Sequence, residues 1–148
     1  MFQLFLSYCH QQEDLVKQVK EALSQLGLKV WIDYENPPRA GQSLNEWMPE
    51  GIKKSQIIVV FFSEDYEKSK NCQRELVYAD GIKKPVIYVK AQEKYFPQNW
   101  LQFICKNALY HDVIGKNYEK GMGTLRKQIN NTLELLSSIK EESIFASL

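Results

Sequence analysis

The chain has 148 residues, 44% hydrophobic and 25% charged, a balance that suits one globular domain able to bury its own core and excludes extended disorder. The formal charge is only +1, with Lys53-Lys54 and Lys83-Lys84 as separated pairs instead of one basic stripe, which excludes the footprint of a nucleic-acid or anionic-membrane binder. Three cysteines, Cys9, Cys72 and Cys105, form no CxxC pair and leave an odd count, so reduced thiols in a cytoplasmic setting are expected, without disulfides or zinc.

Met1-Phe2-Gln3 leads directly into the first predicted strand, Gln3 to Tyr8, with no signal-peptide core. No apolar run approaches the ~20 residues of a membrane span, so no membrane insertion is expected. Leu15, Val19, Leu23 and Leu26 then recur at helical spacing, with Gly27 as the stop. A second strand runs from Lys29 to Ile32. Ser43-Leu-Asn-Glu46 matches a capping box and predicts a helix from Leu44, short or broken because Pro49 lacks an interior amide. Gln56 to Phe62 is apolar without alternation, as in a strand covered on both faces of a parallel sheet. After a polar, charged loop, a helix from near Asn71 puts Cys72, Leu76 and Ala79 on a core-facing stripe and Glu75 at the stripe's half-sheltered edge. It ends near Gly81, before a fourth strand from Pro85 to Val89. A short helix from Asn99 to Cys105 and a fifth strand from Asn107 to Tyr110 come next. The last helix starts at about Thr124, with Leu125, Ile129, Leu133 and Leu136 along one face. Residues 1–140 read as one domain, and 141–148 as a frayed tail or the stub of a linker.

Strand-like runs alternating with helical patterns mark a parallel α/β sheet. In open sheets of this kind ligands bind in the crevice beyond the carboxyl ends of the strands. Glu75, just past the third strand, stands where a carboxylate can do chemistry; the alternative is a first-turn carboxylate favoured by the helix macrodipole alone. Other motifs carry less. Gly121-Met-Gly123 has Arg126 where a dinucleotide fingerprint needs its third glycine, and no phosphate loop is present. Cys9 and His10 are neighbours in extended chain, point to opposite sides and read as strand-end residues. His111-Asp112, expected beyond the last strand, lacks a third ligand and reads as a loop hydrogen-bond pair, so no metal site is expected. Cys72 is expected as a buried, unreactive thiol, and Trp31, Trp47 and Trp100 as residues of the core or its rim.

Together the motifs resemble those of the Toll/interleukin-1 receptor (TIR) domain. Phe5-Leu-Ser-Tyr8 is similar to its first-strand box, and Val30-Trp-Ile-Asp33 followed by Pro37-Pro-Arg-Ala-Gly41 to its second strand and the long loop after it. Ile57 to Ser63 followed by Ser69-Lys-Asn-Cys72-Gln-Arg-Glu75-Leu resembles the third strand and the segment behind it. The resemblance implies a flavodoxin-like open parallel five-stranded sheet flanked by helices on both faces.

Some members of that family join receptors to adaptors, and others cleave NAD+ and release nicotinamide. The cleaving members carry a glutamate where Glu75 stands, so the resemblance implies an NAD+ glycohydrolase or ADP-ribosyl cyclase that forms ADP-ribose or a cyclic isomer in a signalling or cell-death/defence context. NAD+ is then a substrate, with no permanently bound cofactor. Nicotinamide leaves without a general acid and makes the ribose oxocarbenium-like, so one placed carboxylate suffices. Glu75, near a helix N-terminus, is expected to be held ionised. By the same resemblance Tyr8, Cys9, Asp33, Ser43 and Asn71 line the nucleotide pocket. The axon-degeneration type enzymes carry an arginine near Cys9, an aromatic near Ser43 and a tryptophan near Asn71. Pro37, Pro38, Arg39 and Gly41 belong to the loop through which TIR domains associate, which two prolines make a preorganised protrusion and a poor partner for its own sheet. The implied partner is another TIR domain. Two further readings use the same residues: a non-enzymatic TIR–TIR interaction module in innate immune signalling, and a nucleotide-binding sensor without turnover.

Overall fold

The computed structural model describes residues 1–148. Its strands are β1 (Phe2–Ser7), β2 (Val30–Trp31), β3 (Ser55–Phe62), β4 (Val86–Lys90) and β5 (Tyr110–Asp112). They form one parallel sheet in the order β2-β1-β3-β4-β5. The chain steps outward from β1 to β2 and returns to β3 on the other side, which opens a crevice at the carboxyl ends of β1 and β3.

Side chains alternate across the pleat and sort the core into two layers. Leu4, Leu6, Ile57, Val59, Phe61, Ile87 and Val89 face one side, where they meet Val16, Val19 and Leu23 of α1 (Glu13–Gln25) and Leu125 and Ile129 of α6 (Tyr118–Ala146). Phe5, Ile58, Val60 and Phe62 face the other. There they meet Ile52 of α2 (Leu44–Lys53), Tyr66 of α3 (Glu64–Lys68), Leu76 and Ala79 of α4 (Lys70–Gly81) and Leu101 of α5 (Asn99–Cys105). Each fully buried aliphatic side chain contributes roughly 1.5–3 kcal/mol, so each layer outweighs any single polar contact.

The departures from sequence expectation have local causes. Ser43 occupies the N-cap of α2, but its hydroxyl caps nothing, so the capping box does not form. Pro49 lies inside α2, yet the helix continues to Lys53, because Gly51 and Ile52 are buried behind it. A Cβ on Gly51 would stand 2.8 Å from the Trp31 ring, so that turn lies almost flat against the sheet. The stretch expected as a polar loop contains α3, capped by the Ser63 hydroxyl, which accepts from the Tyr66 amide at 3.0 Å. β5 begins at Tyr110 and not at Asn107: the chain leaves α5 through Lys106 with φ of 50°, and Leu109 stays exposed. α6 begins at Tyr118 and not near Thr124, because Gly121 approaches so closely that a Cβ there would lie 1.8 Å from the Asp112 carbonyl oxygen. It also runs through 141–146, so the expected frayed tail is helical to Ala146. No helix is long and apolar enough to cross a membrane.

Candidate active site

A cavity of about 760 Å³ opens at the carboxyl ends of β1 and β2, between α2 and α4. Tyr8, Cys9, Asp33, Ser43, Asn71 and Glu75, the residues singled out in the sequence, all line it. β1 ends at Ser7 and delivers Tyr8 and Cys9 to the mouth; Asp33 begins the turn after β2; Ser43 immediately precedes α2. α4 is started by Ser69, whose hydroxyl accepts from the Cys72 amide at 3.2 Å, and the helix then carries Asn71 and Glu75 into the wall.

Glu75 is 8% exposed, deeper than the half-sheltered edge its spacing predicts. Its Oε2 accepts the Ser7 hydroxyl at 3.2 Å. Burial pushes its carboxyl up to about 8; the Ser7 hydrogen bond opposes this, and the Asp33 carboxylate adds to it. The expectation of an ionised Glu75 is therefore corrected: at neutral pH the free protein holds it mostly protonated. The reason is burial, and Glu75 lies beyond the first turn of α4, where the macrodipole expected to hold it ionised has faded.

Asp33 is the half-buried counterpart. Its Oδ1 accepts the Tyr8 hydroxyl at 2.6 Å and the Tyr34 amide at 2.9 Å, and His10 Nε2 stands 3.9 Å from Oδ2. Burial, then the Asp33 hydrogen bond, raises the Tyr8 hydroxyl, which stays a donor. Cys72 is buried, gives its thiol to the Tyr8 carbonyl at 3.5 Å and is pushed up to about 12, by burial first and the neighbouring Glu75 second. It is a packing thiol, as its stripe position implies. Cys9 gives its thiol to Gln11 Oε1 at 2.7 Å and makes no pair with His10.

The loop residues Pro37, Pro38, Arg39 and Gly41 are exposed and lie outside the cavity lining. The loop is no free protrusion. Arg39 Nη1 and Nη2 donate to Glu50 of α2, at 3.2 and 3.1 Å, Gln42 donates to the same carboxylate at 2.5 Å, and the Trp47 indole donates to the Asn36 carbonyl at 2.6 Å. The expected His111-Asp112 loop pair is also corrected. His111 is a buried residue of β5 between Thr124 Oγ1 at 2.7 Å and Gln128 Oε1 at 2.5 Å, while Asp112 accepts from the Ile114 amide and Asn117. His111, Asp112, Asn117, Thr124 and Gln128 line a second hollow of about 820 Å³ between β5 and α6. Its His and Asp are satisfied internally, whereas the cavity at the ends of β1 and β2 has the buried Glu75 carboxyl in its wall.

A family model described as the TIR domain matches residues 4–126. The chain belongs to the TIR domain family. The TIR domain of the Toll-related receptor TRR-2 from Hydra magnipapillata superposes with a TM-score of 0.73 at 17% identity, over 88% of this chain and 99% of that one. The TIR domains of the activated Roq1 resistosome directly recognizing the pathogen effector XopQ give 0.67 at 20% identity, over 87% and 99%. Both show the fold alone. In sequence, this TIR domain is 37% identical over 82 residues to a probable 2′ cyclic ADP-D-ribose synthase, TcpO, of Methanobrevibacter olleyae, covering 53% of this chain and 24% of that protein. It is 34% identical over 82 residues to the 2′ cyclic ADP-D-ribose synthase AbTIR of Acinetobacter baumannii, covering 55% and 29%. The chain thus spans about a quarter of the length of these relatives.

This TIR domain also brings to the cavity residues that the sequence reading left out: His10, Trp47, Met48, Arg74 and Tyr78. Arg74 and Tyr78 follow from Glu75 by helical adjacency, once α4 is known to form a wall. Trp47 and Met48 lie in the first turns of α2, and their place in the wall follows from the packing of α2 across the cavity from α4.

Proposed function

We propose that this TIR domain cleaves NAD+, releasing nicotinamide and forming ADP-ribose or a cyclic isomer, with Glu75 as the catalytic residue. One observation carries the reading: a lone buried carboxyl, Glu75, faces a nucleotide-sized cavity beyond the carboxyl ends of β1 and β2 in a parallel sheet. The names of the two sequence relatives support it.

The bond broken joins ribose C1′ to the nicotinamide nitrogen, and its electron pair leaves with the ring, which becomes neutral. Positive charge passes to the ribose, and a carboxylate beside C1′ lowers the energy of that oxocarbenium-like state. Water, or a hydroxyl of the same nucleotide, then adds to C1′ and gives up its proton. Glu75 starts mostly protonated, so a cationic nicotinamide ribose in the cavity favours loss of its proton and generates the carboxylate where it is used. Tyr8, Cys9, Asp33, Ser43 and Asn71 hold the nucleotide, and turnover is highest in a homotypic TIR assembly formed through the Pro37-Pro38 loop.

The test is nicotinamide release by the purified protein. Glu75→Gln keeps the shape and removes the charge, and is expected to lower kcat by about a hundredfold or more with the fold intact. An unchanged rate in Glu75→Gln ends the assignment. Absence of turnover in wild type at high protein concentration transfers the site to a non-enzymatic TIR interaction module.

A further inference from the structure

Ser7 is the polar residue in the fully buried stretch of β1 from Leu4 to Ser7. The pleat that sends Leu6 to the α1 side sends Ser7 to the side of α3 and α4. A hydroxyl there must find partners, and it has two: Tyr66 Oη at 2.7 Å and Glu75 Oε2 at 3.2 Å. Ser7 carries a single hydroxyl proton. When that proton goes to the Glu75 carboxylate, Tyr66 donates to Ser7 Oγ, and the chain has one polarity from Tyr66 through Ser7 to Glu75. Tyr66 is fully buried, its ring stacks on Trp100 at 6.3 Å, and its amide is held by Ser63.

We propose that Ser7 and Tyr66 are positioning residues whose hydrogen-bond chain aims the Glu75 carboxylate into the cavity and favours its ionised form. The effect on ionisation rests on the geometry; the effect on turnover rests also on the NAD+-cleaving reading. The other titratable groups facing Glu75 are Cys72 on its own helix, Tyr66 on α3 and Asp33 after β2, with Tyr8, Cys9, His10, Arg74 and Tyr78 in the same cavity. α2 adds only uncharged side chains. Cys72 and Tyr66 are both raised by burial and stay protonated, and Asp33 opposes ionisation of Glu75. The Ser7 hydroxyl is thus the group within the chain that hydrogen-bonds the charged form.

The experiment follows the Glu75 side-chain carboxyl carbon by NMR in glutamate-labelled protein without substrate, assigned by its loss in Glu75→Gln. Ser7→Ala is expected to raise the titration midpoint by about one pH unit, the size of a hydrogen bond to a charged group. Tyr66→Phe, which keeps the ring, is expected to raise it by less. With NAD+, the pH at which kcat/KM reaches half its maximum moves upward in the same order, with kcat changing more than KM. Midpoints unchanged from wild type in both variants, or lowered stability alone, overturn the proposal. Should Ser7→Ala not fold, Tyr66→Phe decides it. A moved midpoint in a protein that releases no nicotinamide upholds the positioning chain and sinks only the enzyme reading.

Discussion

Glu75 combines two demands that conflict. Catalysis by charge needs a carboxylate, and burial disfavours one. The conflict has a thermodynamic signature with a definite sign. The folded carboxyl is raised to about 8 from an ordinary value near 4.5, so between these pH values the folded state holds a proton that the unfolded chain has lost. Stability therefore falls as pH rises from about 4.5 to about 8. Glu75→Gln removes this loss and is expected to stabilise the protein, by an amount that grows across that window to on the order of a few kcal/mol. Denaturant melts of both proteins at pH 5 and pH 8.5 check it, and a gain equal at both pH values would contradict it. The position of Glu75 is legible in the sequence, because a helical stripe beside an apolar strand fixes which turn meets the sheet. Its protonation is not. It depends first on how deeply the fold buries the carboxyl, then on Ser7, 68 residues away in the chain, which opposes protonation, and on Asp33 across the cavity, which favours it.

The loop between β2 and α2 carries a second lesson, at the scale of the element. Two adjacent prolines read as a stiff protrusion, but Glu50, one residue past Pro49, gathers Arg39, Gln42 and Lys54 and pulls the loop onto α2. The ion pairs lower the Glu50 carboxyl, Lys54 contributing most. They are solvent-facing, so Glu50→Ala is expected to leave global stability almost unchanged while exposing the backbone around residues 36–43. Limited proteolysis of that stretch measures it, and an unaltered cleavage rate would show the prolines to be sufficient. The proposed assembly makes a linked prediction. Specific activity of wild type is expected to climb with protein concentration, and the climb to be lost when Pro37 and Pro38 are both replaced by glycine. Specific activity independent of dilution in wild type would leave a self-sufficient monomeric site. The tie to Glu50 is invisible to local sequence patterns, since Arg39 and Glu50 belong to different elements and meet only after α2 continues past Pro49.

For the whole molecule, strand count, parallel order and the covering of both sheet faces are legible, because alternating apolar runs and helical stripes permit few other arrangements. The far edge is not, because β5 is short and its position is set by the contact of Gly121 with the Asp112 backbone. Alanine gains up to about 1 kcal/mol of helix propensity over glycine, yet Gly121→Ala is expected to destabilise by on the order of 3 kcal/mol, since a methyl 1.8 Å from a carbonyl oxygen must push α6 off the sheet. A melting temperature equal to wild type would refute that docking. α6 itself divides in two. Its buried residues end at Ile129, with Leu133 and Leu136 partly covered, and the turns from Ser137 to Ala146 extend roughly 15 Å further beside no core. One continuous helix therefore belongs to two regimes of opening. Amides near Leu125 and Ile129 are expected to exchange with deuterium only when the whole domain unfolds, and those past Ser137 to exchange by fraying, faster by orders of magnitude and with no dependence on global stability.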